Sequence, residues 1–367
     1  MMRVVFIENE DINRDSSGGI VSYILNLSKY IRDKGGETVL IGAGNAVVDS
    51  ENTKTRFTSF SAISNSFGIS NFNFFIKLFI SRKLGDIKKN DIVHVQRPEM
   101  VIPVYFRKRN KIVCTLHGGQ DLAVKKKKGW VMFAIYSILQ AISFLIVNQI
   151  IVVDRKNLNR YTRNYPWIKN KITLIPISVD TDKFYPLNKE RLRRKYGFSL
   201  EDRILLYVGR LEYEKNVEFL IDSFKENTDE RNMLLIVGGG SLRESLEKRA
   251  QLSFKRISFL GEVNNALIPE IMNLADAFAL CSHFEGSPTV VKESLCCKVP
   301  VISTDVGDVK EVLEVVNGGV IIDFTEKNLL IAFDKVLDTN EAISADVSTI
   351  FGLERMGEKT VSIYNNC

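Results

Sequence analysis

Short apolar segments alternate with amphipathic helical segments along most of this 367-residue chain. Residues 2–7 form a β-like apolar run, and residues 20–34 then place apolar side chains at helical spacing. A repeated strand and helix pattern predicts parallel sheets covered by helices on both faces. The pattern stops at a polar, proline-containing stretch near residue 183 and then restarts. We therefore expect an α/β protein with two doubly wound, Rossmann-like domains.

The break near residue 183 sets the predicted domain limits. The N-terminal domain is expected to span residues 1–182 and the C-terminal domain residues 183–345. The last segment, residues 346–367, has the apolar positions of a terminal helix, and we expect it to pack back on the N-terminal domain. Residues 45–70 are polar and show no clear pattern. A composition of 45% hydrophobic and 26% charged residues is that of a folded protein.

The five cysteines argue for a reducing compartment. They are odd in number, lie mostly in apolar runs and lack CxxC spacing, so we expect neither disulfides nor a metal site. No signal peptide is expected, because residues 2–8 resemble a strand that contains Arg3 and Glu8. These observations predict a cytoplasmic protein.

Charge is distributed unevenly. Residues 1–183 hold 28 Lys and Arg against 15 Asp and Glu, a net +13, whereas residues 184–367 hold 22 against 29, a net −7. Such asymmetry indicates that the N-terminal half meets an anionic partner, either a membrane surface or nucleic acid, unless it arose by chance drift of surface charge.

A lysine cluster, Lys125–Lys128, precedes 25 uncharged residues at 129–153. By length this segment could cross a membrane. Polar residues interrupt it, however, and residues 150–154 resemble a separate strand, so a helix that leads into a strand is the simpler interpretation. The lysines and Trp130 would still suit anionic lipid headgroups. Peripheral membrane contact and a buried helix both remain open.

The segment from Glu285 to Glu293 predicts an anion site. An apolar strand is followed by a polar turn and an abrupt helix, for which Ser287 is a suitable N-cap and Pro288 a suitable first residue. Backbone N–H groups at such a helix start favour an anion, and here they belong to Thr289, Val290 and Val291. The two glutamates could hold sugar hydroxyls. The alternative is an ordinary capped helix with two solvated glutamates.

Further candidate residues follow other predicted strands. Gly18 and Gly19 precede the first helix, and the pair allows a phosphate to approach the backbone closely. His117 lies beside two glycines at a strand end, unlike His94 and His283, which we expect to be structural. Arg210 and Lys215 lie on one loop after the strand at 203–208. Strand C-termini are where doubly wound sheets bind ligands.

These motifs, in this order, resemble the retaining nucleotide-sugar glycosyltransferases of the GT4 group, which have the GT-B fold. The resemblance covers nearly the whole chain. It rests on the Gly18-Gly19 loop, His117-Gly118, Ser178-Val179-Asp180, the Gly209-Arg210 to Lys215 segment, and the Glu285 and Glu293 pair with seven residues between them. The GT-B fold implies two Rossmann-like domains that face a central cleft.

The resemblance also implies a role for each candidate. Glu285 and His117 would lie near the donor sugar and the reacting face, and Glu293 would hold the ribose. The diphosphate would be bound by Arg210, Lys215, Gly19, Pro288, Thr289 and Val290. Because basic side chains neutralise the diphosphate, neither a metal nor another cofactor is expected. Two departures concern the donor sugar: Lys298 stands where glycine is common, and Asp308 replaces a second glycine.

The function implied is transfer of a sugar from a nucleotide-sugar, for which UDP is the expected nucleotide, to a lipid-linked or polysaccharide acceptor. This places the protein in cell-surface polysaccharide biosynthesis, on the inner face of the cytoplasmic membrane, with Lys125, Lys126, Lys127 and Lys128 on the acceptor side. The alternatives are a UDP-sugar epimerase with the same architecture and a non-catalytic nucleotide-sugar binder. No nucleic acid partner is expected under this interpretation.

Overall fold

The structure, a computed structural model, describes residues 2–11, 18–43, 55–60, 71–80, 84, 87–118, 120–252, 256–338, 343 and 347–367. The chain divides into two compact units. The first comprises residues 1–177 together with 353–367, and the second comprises residues 178–352. The dividing point thus lies at 177/178, compared with 182/183 in the sequence-based prediction.

The first unit contains a seven-stranded parallel sheet in the order β3-β2-β1-β4-β5-β6-β7. Its strands are β1 (Arg3–Asp11), β2 (Glu37–Ala43), β3 (Thr55–Phe60), β4 (Ile92–Val95), β5 (Lys111–Leu116), β6 (Gln149–Val152) and β7 (Ile172–Leu174). The helices are α1 (Gly19–Asp33), α2 (Asn71–Ile80), α3 (Val101–Lys108), α4 (Gln120–Ile146), α5 (Arg155–Asn164) and the terminal α14 (Leu353–Asn365).

The second unit contains a six-stranded parallel sheet in the order β10-β9-β8-β11-β12-β13. Its strands are β8 (Arg203–Val208), β9 (Asn232–Val237), β10 (Ile257–Gly261), β11 (Ala277–Leu280), β12 (Val301–Thr304) and β13 (Gly319–Ile322). The helices are α6 (Lys189–Tyr196), α7 (Val217–Lys225), α8 (Arg243–Gln251), α9 (Ile268–Met272), α10 (Thr289–Cys296), α11 (Val309–Val316), α12 (Glu326–Asp338) and α13 (Val347–Phe351).

Each sheet has a hydrophobic core on both faces, because successive residues of a strand point to opposite sides. In β1, Val5 and Ile7 join the core on one face, whereas Val4 and Phe6 join the other, where α1 and α14 pack. The second sheet repeats this arrangement. In β8, Ile204 and Leu206 point to one face of the sheet, and Leu205 and Tyr207 point to the other face. Burial on both faces explains why these strands are nearly continuous apolar runs.

The strand orders place a topological switch point in each sheet. In the first sheet, consecutive strands run outward from β1 on one side and from β4 on the other. In the second sheet, β8 and β11 occupy the corresponding positions. Open α/β sheets bind ligands beyond the carboxyl ends of the strands at this point. The loops that follow β1, β4, β8 and β11 are therefore the first places to look for a site.

Candidate functional site

Lys215 and Glu285 meet at the switch point of the second sheet. Lys215 ends the loop after β8, and Glu285 lies in the loop after β11. The Lys215 Nζ atom is 2.5 Å from Glu285 Oε1, and the same oxygen accepts a 2.7 Å hydrogen bond from Ser282 Oγ. The two side chains are only 19% and 12% exposed. The structure therefore brings two predicted site residues into one partly buried ion pair.

Arg210 lies on the same loop but does not join this pair. Its side chain is 66% exposed, and Nη2 is 3.4 Å from Oε1 of Glu214, too long for a strong hydrogen bond. The Tyr207 hydroxyl donates a 2.9 Å hydrogen bond to the Arg210 carbonyl, so the backbone is held while the guanidinium faces solvent. An exposed guanidinium with five donors can bind a phosphate.

Glycines after β9 let the Arg210 loop lie against a neighbouring backbone. Gly238 has a φ of +135°, and a Cβ there would be 1.9 Å from the carbonyl oxygen of Gly209. At Gly240 a Cβ would be 2.4 Å from the Leu211 carbonyl. The Leu211 N–H donates to the Gly239 carbonyl at 2.7 Å. This backbone contact holds the loop that carries Arg210 and Lys215.

The start of α10 differs by one residue from the prediction. Pro288, not Ser287, is the N-cap, and no side chain caps the helix. The Val291 N–H donates to the Pro288 carbonyl at 3.3 Å, so it is not one of the free groups expected from the sequence. Thr289 and Val290 are the first two helical residues, whose N–H groups have no intrahelical partner. The predicted anion cradle therefore reduces to these two N–H groups at the helix start.

Ser287 instead belongs to a buried polar cluster with Lys292 and Asp308. Its hydroxyl donates to Asp308 Oδ2 at 2.6 Å, and Lys292 Nζ donates to the Ser287 oxygen at 2.6 Å and to Asp308 Oδ2 at 2.8 Å. Lys292 has no exposed surface. Asp308, noted in the sequence as a departure from the family pattern, thus has a buried lysine as its partner.

Glu293 lies on α10, eight residues after Glu285 in the sequence. Burial raises its pKa to about 7, although the positive charge of Lys183 and a hydrogen bond from the Thr289 side chain act in the opposite direction. A carboxyl group with this pKa changes charge near neutral pH. It is therefore an acceptor whose strength for hydroxyl donors depends on pH.

In the first unit, the helix that begins at Gly19 contacts His117 through Tyr23. Gly19 is the exposed first residue of α1, and Tyr23, one turn later, packs edge-on against the His117 ring at a centroid distance of 4.9 Å. His117 follows β5, and its Nε2 donates to Oε1 of Gln96 at 2.7 Å. Its Nδ1 is buried and accepts no hydrogen bond within the described part of the chain. Burial, with a smaller effect from the charge of Arg97, lowers the pKa of His117 to about 3.

His94 has a different environment in the same unit. It is fully buried, with Nδ1 2.6 Å from the Tyr364 hydroxyl and Nε2 2.6 Å from Thr115 Oγ1. Burial lowers its pKa to about 3. The ring thus links the terminal helix α14 to the sheet.

The side chains of Lys125, Lys126, Lys127 and Lys128 lie outside the described residues, so the proposed acceptor-side role is not assessed by the structure. The backbone here is helical and belongs to α4, which Gly129 interrupts with φ 78° and ψ −177°. The following 18 residues, Gly129–Ile146, are long and apolar enough to cross a membrane, and only 17% of them are buried. Length and apolar composition alone are weak grounds for a membrane span.

The exposed side chains of this part of α4 form an apolar stripe. Trp130 and Val131 are 70% and 74% exposed, and further along the helix Ile135, Ile138, Ile142 and Leu145 are exposed at spacings of three or four residues. The adjacent α3 adds Phe106, which is 68% exposed. Exposed apolar patches of this kind mark protein or membrane contact sites. We call these residues the α4 face.

No metal-binding cluster is found where the structure can be described. Among those residues, no group of three or more His, Cys, Asp or Glu side chains could hold a metal ion. All five cysteines are free thiols, and four of them are buried. Lys215 and Arg210 are the cationic side chains that could balance an anion at this site.

Two family models match the chain in succession. The model described as Glycosyltransferase Family 4 matches residues 17–183, and the model described as Glycosyl transferases group 1 matches residues 188–345. The junction between the two matches lies close to the junction between the two structural units.

Curated relatives agree with these matches. The O-antigen biosynthesis glycosyltransferase WbnH of Escherichia coli is 28% identical over 279 residues, which cover 75% of each chain. The putative teichuronic acid biosynthesis glycosyltransferase TuaC of Bacillus subtilis is 34% identical over 139 residues, which cover 37% of this chain and 34% of that protein. With several further relatives the alignment likewise spans less than half of the relative's length.

Solved structures show the same fold. Anabaena HepE, crystallised in complex with UDP-glucose, has a TM-score of 0.79 at 15% identity, with full coverage of both chains. Two Rossmann-like parallel sheets and this likeness define the GT-B class of glycosyltransferase fold. The chain belongs to the GT4-type, or group 1, glycosyltransferases. Members of this family transfer glycosyl groups.

Several residues of the site were not anticipated from sequence. Lys292 sits inside a helix pattern where a lysine is expected to be solvated, because fully buried lysines are rare. Its partner Asp308 was visible only as an unusual residue, and Gln96 carried no motif. The available signal in the sequence was that Lys292 directly follows two apolar residues, Val290 and Val291.

Proposed function

We propose that this protein is a retaining hexosyltransferase that uses a nucleotide-sugar, with UDP as the favoured nucleotide, and a lipid-linked or polysaccharide acceptor. Its place would be cell-surface polysaccharide biosynthesis, at the cytoplasmic face of the membrane. WbnH, a relative over three quarters of the chain, is by name an O-antigen glycosyltransferase, and the similar HepE structure contains UDP-glucose.

The observation that carries the proposal is the Lys215–Glu285 pair at the switch point of the second sheet. A cation and a carboxylate 2.5 Å apart occur in the loops after β8 and β11, and α10 begins four residues after Glu285. A nucleotide-sugar needs both kinds of group, since its diphosphate is an anion and its sugar carries hydroxyl donors. The pair meets these needs within one unit.

Each group has a role that follows from its chemistry. As the sugar leaves the diphosphate, negative charge develops on the leaving oxygen, and Lys215, Arg210 and the N–H groups of α10 can stabilise it. The carboxylate of Glu285 can accept hydrogen bonds from sugar hydroxyls, and Glu293 those of the ribose. His117 can accept a further sugar hydroxyl through Nδ1. No step requires a metal in this scheme.

The α4 face motivates the acceptor part of the proposal. Exposed aromatic and aliphatic residues on α4 follow four lysines in the sequence, and the N-terminal half has a net charge of +13. This combination suits the interface of an anionic bilayer, where apolar side chains insert and lysines attract lipid headgroups. A lipid-linked acceptor would be presented at that surface.

A panel of nucleotide-sugars scored by thermal stabilisation tests the donor. A ligand that binds only the folded state raises the midpoint temperature of unfolding. At a ligand concentration of a hundred times the Kd, the free energy of unfolding increases by about 2.7 kcal/mol. Stabilisation by UDP-sugars but not by guanosine or adenosine analogues is expected. Incubation of the same donor without acceptor tests the alternative activity, because an epimerised sugar would identify an epimerase and hydrolysis or no reaction would not.

Vesicle co-sedimentation tests the membrane part. We expect binding to vesicles with phosphatidylglycerol, weaker binding to pure phosphatidylcholine, and a decrease with added salt. Replacing Ile138 and Leu145 by Ser should reduce binding several-fold. The control variant replaces Leu252 and Ile331, which are 78% and 63% exposed in the second unit, and should bind like the wild type. Equal loss in both variants would contradict a specific α4 face.

A further inference from the structure

Lys292, Asp308 and Ser287 form a closed cluster directly behind the Glu285–Pro288 turn. Each of the three side chains bonds to the other two, with distances of 2.6 to 2.8 Å between the polar atoms. Lys292 is completely buried, and Asp308 and Ser287 are 5% and 6% exposed. The ammonium also lies 5.8 Å from the centre of the Phe351 ring on α13. We call this set the turn cluster.

Burying the two charges of the turn cluster costs free energy. Removing two charges from water costs several kcal/mol per ion, and apolar residues of similar volume often replace a buried pair without loss of stability. One carboxylate oxygen, Asp308 Oδ1, is buried and accepts no hydrogen bond from any described residue. Stability alone therefore gives no reason for these charges at this position.

The surroundings of the turn cluster suggest what it holds. The N–H of Asp308 donates to the Gly286 carbonyl at 3.1 Å, and Thr304 Oγ1 donates to the Ser282 carbonyl at 3.0 Å. Gly307 has a φ of +54°, and a Cβ at this position would be 1.9 Å from the Gly286 carbonyl oxygen. The loop after β12 thus lies directly on the backbone of the turn.

Glu285 lies within the segment that these contacts hold. Ser282 is bound through its carbonyl and also donates to the Glu285 carboxylate, Gly286 is bound through its carbonyl, and Ser287 is bound through its hydroxyl. The residue after Ser287 is the N-cap of α10. The carboxylate of Glu285 is thus held by Ser282, and the helix start by the cluster through Gly286 and Ser287. Only the backbone between Glu285 and Gly286 joins these two sets of bonds.

We propose that Lys292 and Asp308 are positioning residues that act through Ser287 to set the geometry of the Glu285 carboxylate and of the first N–H groups of α10. This inference rests on the proposed function, because it assigns these groups to the donor sugar and its diphosphate. Catalytic groups need positions accurate to a fraction of an ångström. A short ionic cluster with three mutual bonds provides that accuracy, whereas an apolar contact would leave the turn freer to move.

The test uses two variants of the full-length protein. Ser287→Ala removes the link to the turn and leaves the ion pair intact. The double variant Lys292→Met with Asp308→Asn removes both charges and keeps similar shapes, since either substitution alone would leave an unpaired buried charge and could unfold the protein. The control, Arg249→Met with Asp222→Asn, neutralises a more exposed ion pair in the same unit, between α8 and α7, in which Asp222 also binds Lys225.

If the turn cluster positions the turn, its variants should have a lower kcat but nearly unchanged stability. In Ser287→Ala and in the Lys292 and Asp308 double variant, kcat should fall at least tenfold while the midpoint of thermal unfolding changes by only a few degrees. The Kd for UDP alone should rise by a smaller factor than kcat falls, because UDP meets the N–H groups at the start of α10 but lacks the sugar that Glu285 would hold. The Arg249 and Asp222 variant should keep the wild-type kcat.

Two outcomes would overturn the inference. Wild-type kcat in both turn-cluster variants would show that the cluster does not position the turn, and so would a loss of kcat that matches the loss of folded protein. Failure of the proposed function looks different, because then the wild-type protein itself would transfer no sugar and bind no nucleotide-sugar. A circular dichroism spectrum of each variant establishes the folded fraction before the kinetic comparison.

Discussion

The Nε2 atom of His117 donates a hydrogen bond to Oε1 of Gln96 across 2.7 Å. Because an amide oxygen can only accept, this bond fixes the proton of the neutral imidazole on Nε2 and leaves Nδ1 as an acceptor. Nδ1 is buried and has no partner among the residues that the structure describes. His117 is thus set up to accept a hydroxyl group, and not to donate a proton.

This arrangement predicts a histidine that does not titrate in the working range. The pKa of His117 is lowered to about 3, mainly by burial, so the ring is neutral at every pH above about 4. The pH profile of kcat/KM should therefore show no ionisation near 6.5 that disappears in His117→Phe. This variant should lose at least tenfold in kcat/KM, because phenylalanine keeps a ring but has no nitrogen that accepts a hydrogen bond, and its profile should keep the wild-type shape.

Nitrogen NMR of labelled histidine checks the tautomer. The chain has three histidines, so the ring signals can be assigned by single substitutions. We expect a neutral Nε2–H tautomer for His117 in the wild type. In Gln96→Leu the preference should weaken, with a fall in kcat/KM. An imidazolium signal at pH 6 would contradict the assigned role.

Glu293 should make nucleotide binding depend on pH. Its folded-state pKa of about 7 lies above the usual value of 4.5, so the protonated carboxyl is favoured in the folded protein. Ribose hydroxyls bond better to the ionised form. The affinity for UDP should therefore rise as the pH increases through 7 and level off about one unit above it, and Glu293→Gln should bind more weakly with no such dependence.

The raised pKa of Glu293 also makes the stability of the protein depend on pH. When folding raises the pKa of a carboxyl group, the protein becomes less stable as the pH rises from the unfolded-state pKa to the folded-state pKa of that group. The free energy of unfolding should therefore decrease between about pH 4.5 and pH 7, and Glu293→Gln should remove that part of the decrease. The control is Glu314→Gln on the exposed surface of α11, which should follow the wild-type curve. A wild-type affinity for UDP that is flat from pH 6 to pH 8 would argue against the ribose role.

Removing either member of the Lys215–Glu285 pair should cost catalysis more than folding. Loss of one preorganised charge-stabilising group typically lowers kcat by about 10²- to 10³-fold. We expect a loss of this order for Lys215→Ala and for Glu285→Gln, measured as initial rates of sugar transfer with folding checked by circular dichroism. Lys248→Ala breaks an exposed ion pair on α8 and serves as the control. Near-wild-type rates in both site variants would show that the site lies elsewhere.

The fold was largely predictable because its strands are buried on both faces. The predicted strand at 203–208 is confirmed as β8, and the predicted helix at 20–34 is confirmed as α1. Strand β3 was missed in the unplaced segment 45–70. It lies at the edge of its sheet, and its sequence, Thr-Arg-Phe-Thr-Ser-Phe, has too few aliphatic residues to form an apolar run.

The details of the site were less predictable because they depend on distant residues. Ser287 satisfies the local rule for an N-cap, but its hydroxyl is bound by Lys292 and by Asp308, which is 21 residues away. The prediction that it caps the helix was therefore wrong. A local pattern reports which groups a residue could bond to, and only the tertiary packing decides between them.

Gly307 offers a test of how tightly the loop after β12 holds the turn that carries Glu285. Alanine at this position would adopt a left-handed φ of +54° and place its Cβ 1.9 Å from the Gly286 carbonyl oxygen. The conformation alone costs of order 1 kcal/mol, and the clash must be relieved by displacing backbone. We expect Gly307→Ala to lower the free energy of unfolding by more than about 2 kcal/mol and to reduce kcat in the molecules that remain folded.

Gly197 provides the matched control for this substitution. It also has a positive φ, +76°, but a Cβ there would have no atom within 4 Å. Gly197→Ala therefore measures the conformational cost alone, about 1 kcal/mol, and should leave kcat unchanged. Urea titration gives both free energies, and the difference between the two variants isolates the contact with Gly286. If the two alanine variants lose equal stability and keep equal kcat, the Gly307 backbone does not hold the turn that carries Glu285.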